Sequence, residues 1–173
     1  ELVDAVVQGQ IVSLALALFF VVLLVSFTFR SLAAGFYAVL PLILAIALLF
    51  GGMGWAGIEL NVITAMLSSI MVGVGIDYTI HFLWRYRSER ANGLNPNDAV
   101  VRTLMTAGRG IVFNALSVVV GFAVLLLSNF LPVMFFGFLV VVSISACLIG
   151  ALVLLPALVL VARPAFLEPK LAT

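Results

Sequence analysis

The sequence predicts an all-α membrane protein of five transmembrane helices, with an extracytoplasmic N-terminus, a cytoplasmic C-terminus and one short cytoplasmic amphipathic helix. Composition is the first observation behind this: hydrophobic residues make up 65% of the 173 residues and charged residues 9%, at a mean hydropathy of +1.37. A soluble domain carries about a quarter charged residues. Secondly, the apolar residues fall into five runs, each near the ~20 residues that cross a bilayer. Thirdly, one placement of these runs puts all eight basic residues on the same side of the membrane.

The runs are roughly Ile11–Phe29, Leu32–Trp55, Asn61–Trp84, Ile111–Leu127 and Val133–Val161. They contain Gly and Ala and show no two-residue alternation, which favours helices over barrel strands. Glu1–Gln10 reads as a connector from an external segment, and residues 1–173 as one membrane half-domain of a longer polypeptide. Phe29-Arg30-Ser31 is a turn short enough to make the first two helices antiparallel neighbours. Pro41 removes a backbone donor inside the second helix and is expected to kink it. The glycine-rich link from Gly51 to Asn61 carries Trp55 as an interfacial anchor.

Between the third and fourth helices, Arg85 to Gly110 is the one substantial polar segment. Asn92-Gly93 signals a turn, and Asn95-Pro96-Asn97-Asp98 has the caps and early proline of a helix start. Ala99, Val100, Thr103 and Leu104 against Arg102 then predict an interfacial amphipathic helix over about residues 96–107, bending at Gly108 and Gly110 into the fourth helix. Ser128-Asn129 ends that helix and Pro132 opens the fifth. Pro156 distorts the fifth, and Arg163-Pro164 ends it.

Running the first helix inward places Arg30 in the first inner turn. Arg85, Arg87, Arg90, Arg102 and Arg109 then fall in the second inner loop, and Arg163 and Lys170 in the tail. The positive-inside rule sets the orientation accordingly. Glu1, Asp4 and Glu59 fall outside, which the rule tolerates.

Asp77 stands inside the third run, in Gly73-Val-Gly-Ile-Asp77-Tyr78-Thr-Ile-His81. A charge at mid-membrane costs roughly 2.5–3.5 kcal/mol on insertion scales, so an intramembrane acid is read first as functional. Arg85 marks the inner boundary about 12 Å further along the helix, at 1.5 Å per residue. No Lys or Arg is expected to reach Asp77. A carboxyl at that depth can take up a proton on one side and release it on the other; the plainer reading is a protonated Asp that hydrogen-bonds a neighbouring helix. His81, at i+4, can relay a proton to the cytoplasmic surface, since imidazole titrates near neutral pH, or simply point at head groups. Gly73 shares the Asp77 face one turn outward and admits a helix or water there; Gly75 fits close helix packing. Ser68, Thr64, Asn114 and Ser117 are polar positions in the third and fourth helices; Asn114 and Ser117 share a face that can line the seam around Asp77, or form ordinary interhelical hydrogen bonds.

Several chemistries are excluded. One histidine and one cysteine, Cys147, make no ordinary zinc site and no intramolecular disulfide; Cys147 reads as a packing residue. Aspartyl proteolysis needs two carboxylates sharing a proton, and of the seven acids only Asp77 lies in a span. The chain is not read as an enzyme and needs no cofactor.

On Asn61-Val-Ile-Thr-Ala-Met, Gly73-Val-Gly-Ile-Asp77-Tyr78-Thr-Ile-His81-Phe-Leu-Trp-Arg-Tyr-Arg, Gly121-Phe and Leu155-Pro156-Ala157, the chain resembles one half of an RND-superfamily transporter, nearest the MMPL and hopanoid-type exporters of hydrophobic compounds. The resemblance implies the last five helices of a half, proton-driven export of lipids or other hydrophobic compounds from the inner (cytoplasmic) membrane, and a proton relay at Asp77 and Tyr78. In that family the Asp of one half faces the Tyr of the other. It therefore implies, as partners, membrane lipids, the other half and an extracytoplasmic domain. Two other readings stand beside it. One is a five-helix sterol-sensing-type module that binds lipid or regulatory partners without pumping. The other is a homo-oligomer in which a second copy supplies the facing Tyr78. No nucleic-acid partner is expected.

Overall fold

Long apolar runs in hydrocarbon have to satisfy every backbone group within the segment, and here they do so as helices. The computed structural model describes residues 2–55, 57–58, 62–164 and 166–167. Glu1, Glu59, Asn61 and Lys170 lie outside the described residues, as do the side chains of Asp4 and Thr64. The helices are α1 Leu2–Phe29, α2 Leu32–Trp55, α3 Val62–Ala91, α4 Pro96–Thr103, α5 Arg109–Ala123, α6 Leu131–Ile149 and α7 Leu155–Ala162. A π turn, Leu104–Gly108, joins α4 to α5, and a second, Gly150–Leu154, joins α6 to α7. Five spans long and apolar enough to cross a membrane result, because α4–α5 and α6–α7 are each one continuous helix. No strand occurs among the described residues.

Three helices end in the same way, each for a reason visible in the chain. A residue in the left-handed region lets its own amide and the next one fold back on the last carbonyls. At the end of α1, the Ser31 N–H donates to the Ser26 carbonyl at 3.0 Å and the Arg30 N–H to the Phe27 carbonyl at 3.3 Å. Gly57 and Gly93 close α2 and α3 alike, with φ of 67° and 86°. Arg30 does so at φ 52°, a conformation that costs a side-chain-bearing residue about 1 kcal/mol. Asn95 caps α4, its side chain accepting from the Asp98 N–H at 2.9 Å.

Some boundaries differ from those the sequence predicts. The segment Glu1–Gln10 is not a connector where it is described: α1 starts at Leu2, since residues 2–10 hold no proline and no turn pair. The Gln10 side-chain amide donates to the Ser68 hydroxyl on α3 and ties the two helices together. α3 runs past Trp84 to Ala91, an extension that carries Arg85, Arg87 and Arg90 on its last two turns. The helix expected over about 96–107 is present as α4 with its Asn95 cap, and it runs without a break through the π turn into α5, so Arg109 is helical and not in a loop. Gly108 and Gly110 do not break the chain, because the wider π turn absorbs the irregularity and keeps the backbone hydrogen-bonded. α2 is helical straight through Pro41. The distortion expected at Pro156 is there, as the π turn that immediately precedes it.

α6 packs against α2, α3 and α5, and α1 against α2 and α3. Half of the second span and half of the third are buried, compared with 6% of the first and 11% of the fourth. The core therefore sits between α2, α3 and α6, and the flanks of α1 and α5 look outward. The basic residues gather at one end. The Arg87 guanidinium lies 5.8 Å from the Phe29 ring, next to Arg30. Phe29 meets Phe166, just beyond Arg163, edge-on at 6.2 Å.

Candidate functional site

α3 has two faces of opposite character, and the difference positions the site. Its inner face carries Gly75, Tyr78, Thr79, Phe82 and Tyr86, all buried. A Cβ on Gly75 would lie 3.0 Å from the Cys147 sulfur and 3.1 Å from Leu42 Cδ1, so the glycine permits the contact with α2 and α6. Cys147 is buried there and its thiol points at the Met71 carbonyl, 3.8 Å away. The outer face carries Gly73, Asp77 and His81, all exposed; a Cβ on Gly73 would meet nothing within 4 Å.

On that outer face, His81 Nε2 lies 3.3 Å from Asp77 Oδ1, one helical turn away, with the two side chains 66% and 50% exposed. Among the described residues the Asp77 carboxylate has no arginine partner. Next to it, on the inner side, the Tyr78 hydroxyl is buried and has no hydrogen-bond partner. Asp77, Tyr78 and His81 line a cleft of about 290 Å³ whose opposite wall is Ala107, Gly110, Ile111 and Asn114. Those four positions fall at spacings of three, one and three along a single helix face, and Gly110 keeps the wall low beside the carboxylate. Asn114 brings an amide to the cleft as the sequence suggests.

The other polar candidates lie elsewhere. Ser68, more than two turns before Asp77, is buried against α1 through Gln10. Ser117 donates to its own helix, to the Phe113 carbonyl at 2.8 Å, and does not line the cleft. Gly73 extends the open face above Asp77, whereas Gly75 faces the core. Sequence reasoning missed Ala107 and Gly110 as wall residues because it places them in a surface helix and at a bend. It missed Ile111, in the fourth helix, because an apolar residue there reads as packing; the spacing of all three with Asn114 reveals a shared face. It also missed Glu89, buried at the basic end between Arg85 Nη2 at 2.5 Å and Arg102 Nε at 3.7 Å. The Glu89–Arg102 contact joins α3 to the start of the fourth span. No group of residues suited to hold a metal ion is present among the described residues.

The MMPL family profile matches residues 3–172, nearly the whole sequence. The chain belongs to the MMPL family. A protein of Methanocaldococcus jannaschii described as a membrane protein is 31% identical over 155 residues, covering 89% of this chain and 40% of that protein. A Streptomyces coelicolor membrane protein is 35% identical over 163 residues, covering 90% of this chain and 22% of that protein. The trehalose monomycolate exporter MmpL3 of Mycobacterium tuberculosis is 36% identical over 94 residues, covering 53% of this chain and 10% of the exporter. This MMPL chain thus spans less than half the length of the curated relatives it matches. No solved structure matches it.

Proposed function

We propose that this MMPL chain is a membrane half-domain of a proton-driven exporter of lipids or other hydrophobic compounds, with Asp77, Tyr78 and His81 as its proton relay. One observation carries the reading. A carboxyl in the middle of a span is turned to the outside of the bundle, paired among the described residues only with a histidine, in a cleft that also holds an unsatisfied tyrosine hydroxyl. A carboxylate facing bare hydrocarbon is costly, so this face needs water or a second protein surface against it. The share of the relatives that the chain spans supports a second half as that surface; a second copy of the chain is the other candidate.

In this reading the proton moves between the Asp77 carboxyl and the His81 imidazole, which stands one turn nearer the basic end. The buried Tyr78 hydroxyl supplies a hydrogen bond to whatever faces it across the cleft. The N-terminus is extracytoplasmic and the C-terminus cytoplasmic, in a multi-pass protein of the cytoplasmic membrane. Support comes from the clustering of the arginines at the shared end of α1, α3 and α7. The lipid substrate class rests on MmpL3, whose name states export of trehalose monomycolate.

The test is Asp77→Asn in the full-length protein that contains this chain, reconstituted in liposomes with an imposed proton gradient. Gradient-driven efflux of a lipophilic probe is expected to fall by about a hundredfold or more, the scale of a lost positioned proton-transfer group. Undiminished efflux by Asp77→Asn overturns the reading. Lipid-dependent partner binding that persists without the gradient would instead favour a sterol-sensing-type module.

A further inference from the structure

The Glu89–Arg102 ion pair marks the register of the fourth span against α3, and from it follows the depth of a residue the relay does not use. With Arg102 level with Glu89, the antiparallel helices bring Arg109 level with Phe82, about 4–5 Å deeper than Arg85 at 1.5 Å per residue. The cleft obeys the same register, since Asn114 lines it together with Asp77. Arg109 is thus a cation one turn inside the boundary marked by Arg85. It points away from Asp77, into a separate groove of about 530 Å³ lined by Leu104, Gly108, Arg109, Val112, Phe113 and Leu152.

Two features of this groove suit one kind of molecule. Its walls apart from Arg109 are apolar and open to the hydrocarbon, and the π turn at Gly150–Leu154 supplies Leu152 as the far wall. Among the described residues Arg109 has no ion-pair or hydrogen-bond partner. The acids described at this end do not answer it. Glu89 is buried and held by Arg85 and Arg102, and an Asp98 oxygen accepts from the Asn95 amide at 2.7 Å. A guanidinium at this depth reaches outward along its own stem and meets the level of lipid phosphates.

We propose that the groove binds one anionic glycerophospholipid, its phosphate on the Arg109 guanidinium and an acyl chain along Val112, Phe113 and Leu152. Charge complementarity decides the occupant. The seven arginines of the chain, which the basic end gathers, leave an excess of positive charge that a lipid of net negative charge answers. A zwitterionic lipid brings its own cation into that field, and free phosphate leaves the apolar wall uncovered. The site does not depend on the proton relay.

The experiment places a single tryptophan in the groove, Phe113→Trp in a Trp55→Phe, Trp84→Phe background, in phosphatidylcholine vesicles. Quenching by bromine-labelled phosphatidylglycerol is compared with quenching by bromine-labelled phosphatidylcholine. Phosphatidylglycerol is expected to be preferred about fivefold, the effect of one basic side chain at a lipid surface. Arg109→Gln should abolish that preference and Arg109→Lys should keep most of it. Native mass spectrometry of the unaltered chain should show one phosphatidylglycerol retained, and none in Arg109→Gln. Equal quenching by the two lipids, which would mean ordinary annular lipid, overturns the proposal. So does a preference that survives Arg109→Gln, or its loss on adding inorganic phosphate alone.

Discussion

On consecutive turns of α3, Gly75, Tyr78, Thr79, Phe82 and Tyr86 are buried against α2 and α6, while Gly73, Asp77, His81 and Trp84 remain exposed. Both faces come from one stretch of sequence, and both contain a glycine, an aromatic residue and polar groups. What separates them is how their demands are met. On the inner face Thr79 donates to the Gly75 carbonyl of its own helix at 3.1 Å and asks nothing of its neighbours, and the Tyr78 hydroxyl alone is left buried without a partner, at the edge of the cleft. Among the described residues the outer groups, Asp77 and His81, are paired only with each other. The inner face is closed by the fold, whereas the outer face is left for something beyond this bundle. That contrast separates side chains packed between the helices from polar side chains left open to whatever lies outside the bundle.

Asp77→Asn should sharpen the contrast most, because it is expected to cost function and leave stability nearly unchanged. Proton-driven efflux by the full-length protein falls by about a hundredfold, while thermal unfolding of the variant stays within about 0.5 kcal/mol, as for an exposed substitution. A large loss of stability would place Asp77 with the packing residues instead. Phe82→Ala tests the opposite face. Phe82 is fully buried and stacks on Tyr86 at 6.4 Å, so its truncation should destabilise by about 3–5 kcal/mol. Trp84→Ala, at an exposed ring, should change stability by about 0.5 kcal/mol or less. Denaturant titration in detergent compares the two, and equal losses would erase the distinction between faces.

The sequence carried the spans and the glycine–aspartate–tyrosine element plainly, because hydropathy and a charge in hydrocarbon are both strong local signals. The boundaries around the fourth span were not legible. Two glycines and an asparagine–proline pair are ordinary marks of a break, and only the packing of the fourth span on α3 and α6 shows that a π turn carries the helix across. Reading that stretch as a bend hid Gly110 from the cleft and put Arg109 in a loop. Gly73 and Gly75, two residues apart, are indistinguishable as letters; which of them is packed depends on where Cys147 and Leu42 arrive from other helices. The Gln10–Ser68 contact joins residues 58 positions apart, so no local pattern announces it.

The two glycines give a smaller and more pointed test. Gly75→Leu has to displace Cys147 and Leu42, and overpacking of this kind costs about 1–3 kcal/mol. Gly73→Ala enters open space and should change stability by about 0.5 kcal/mol or less. If Gly73→Ala nevertheless reduces efflux while leaving the isolated bundle as stable as before, the open face above Asp77 is covered by a close-packed surface in the working protein. An Ala that is silent in both assays would mean the space is filled by lipid or water.

The smallest effect is expected at Ser68, a polar group that lies on α3 but serves the fold. Its hydroxyl accepts from the Gln10 amide across to α1, and interhelical hydrogen bonds of this kind contribute about 0.6 kcal/mol. Ser68→Ala and Gln10→Ala should each lose about that much, and the double variant should lose no more than either alone, because both remove the same bond. A double-mutant cycle on unfolding free energies reads this directly. The variants should leave efflux within about twofold of the parent, since a loss of ~0.6 kcal/mol stays inside the usual stability margin. Loss of transport without loss of stability would mean that α1 moves relative to α3 during the cycle, and that the contact belongs to the mechanism as well as to the fold.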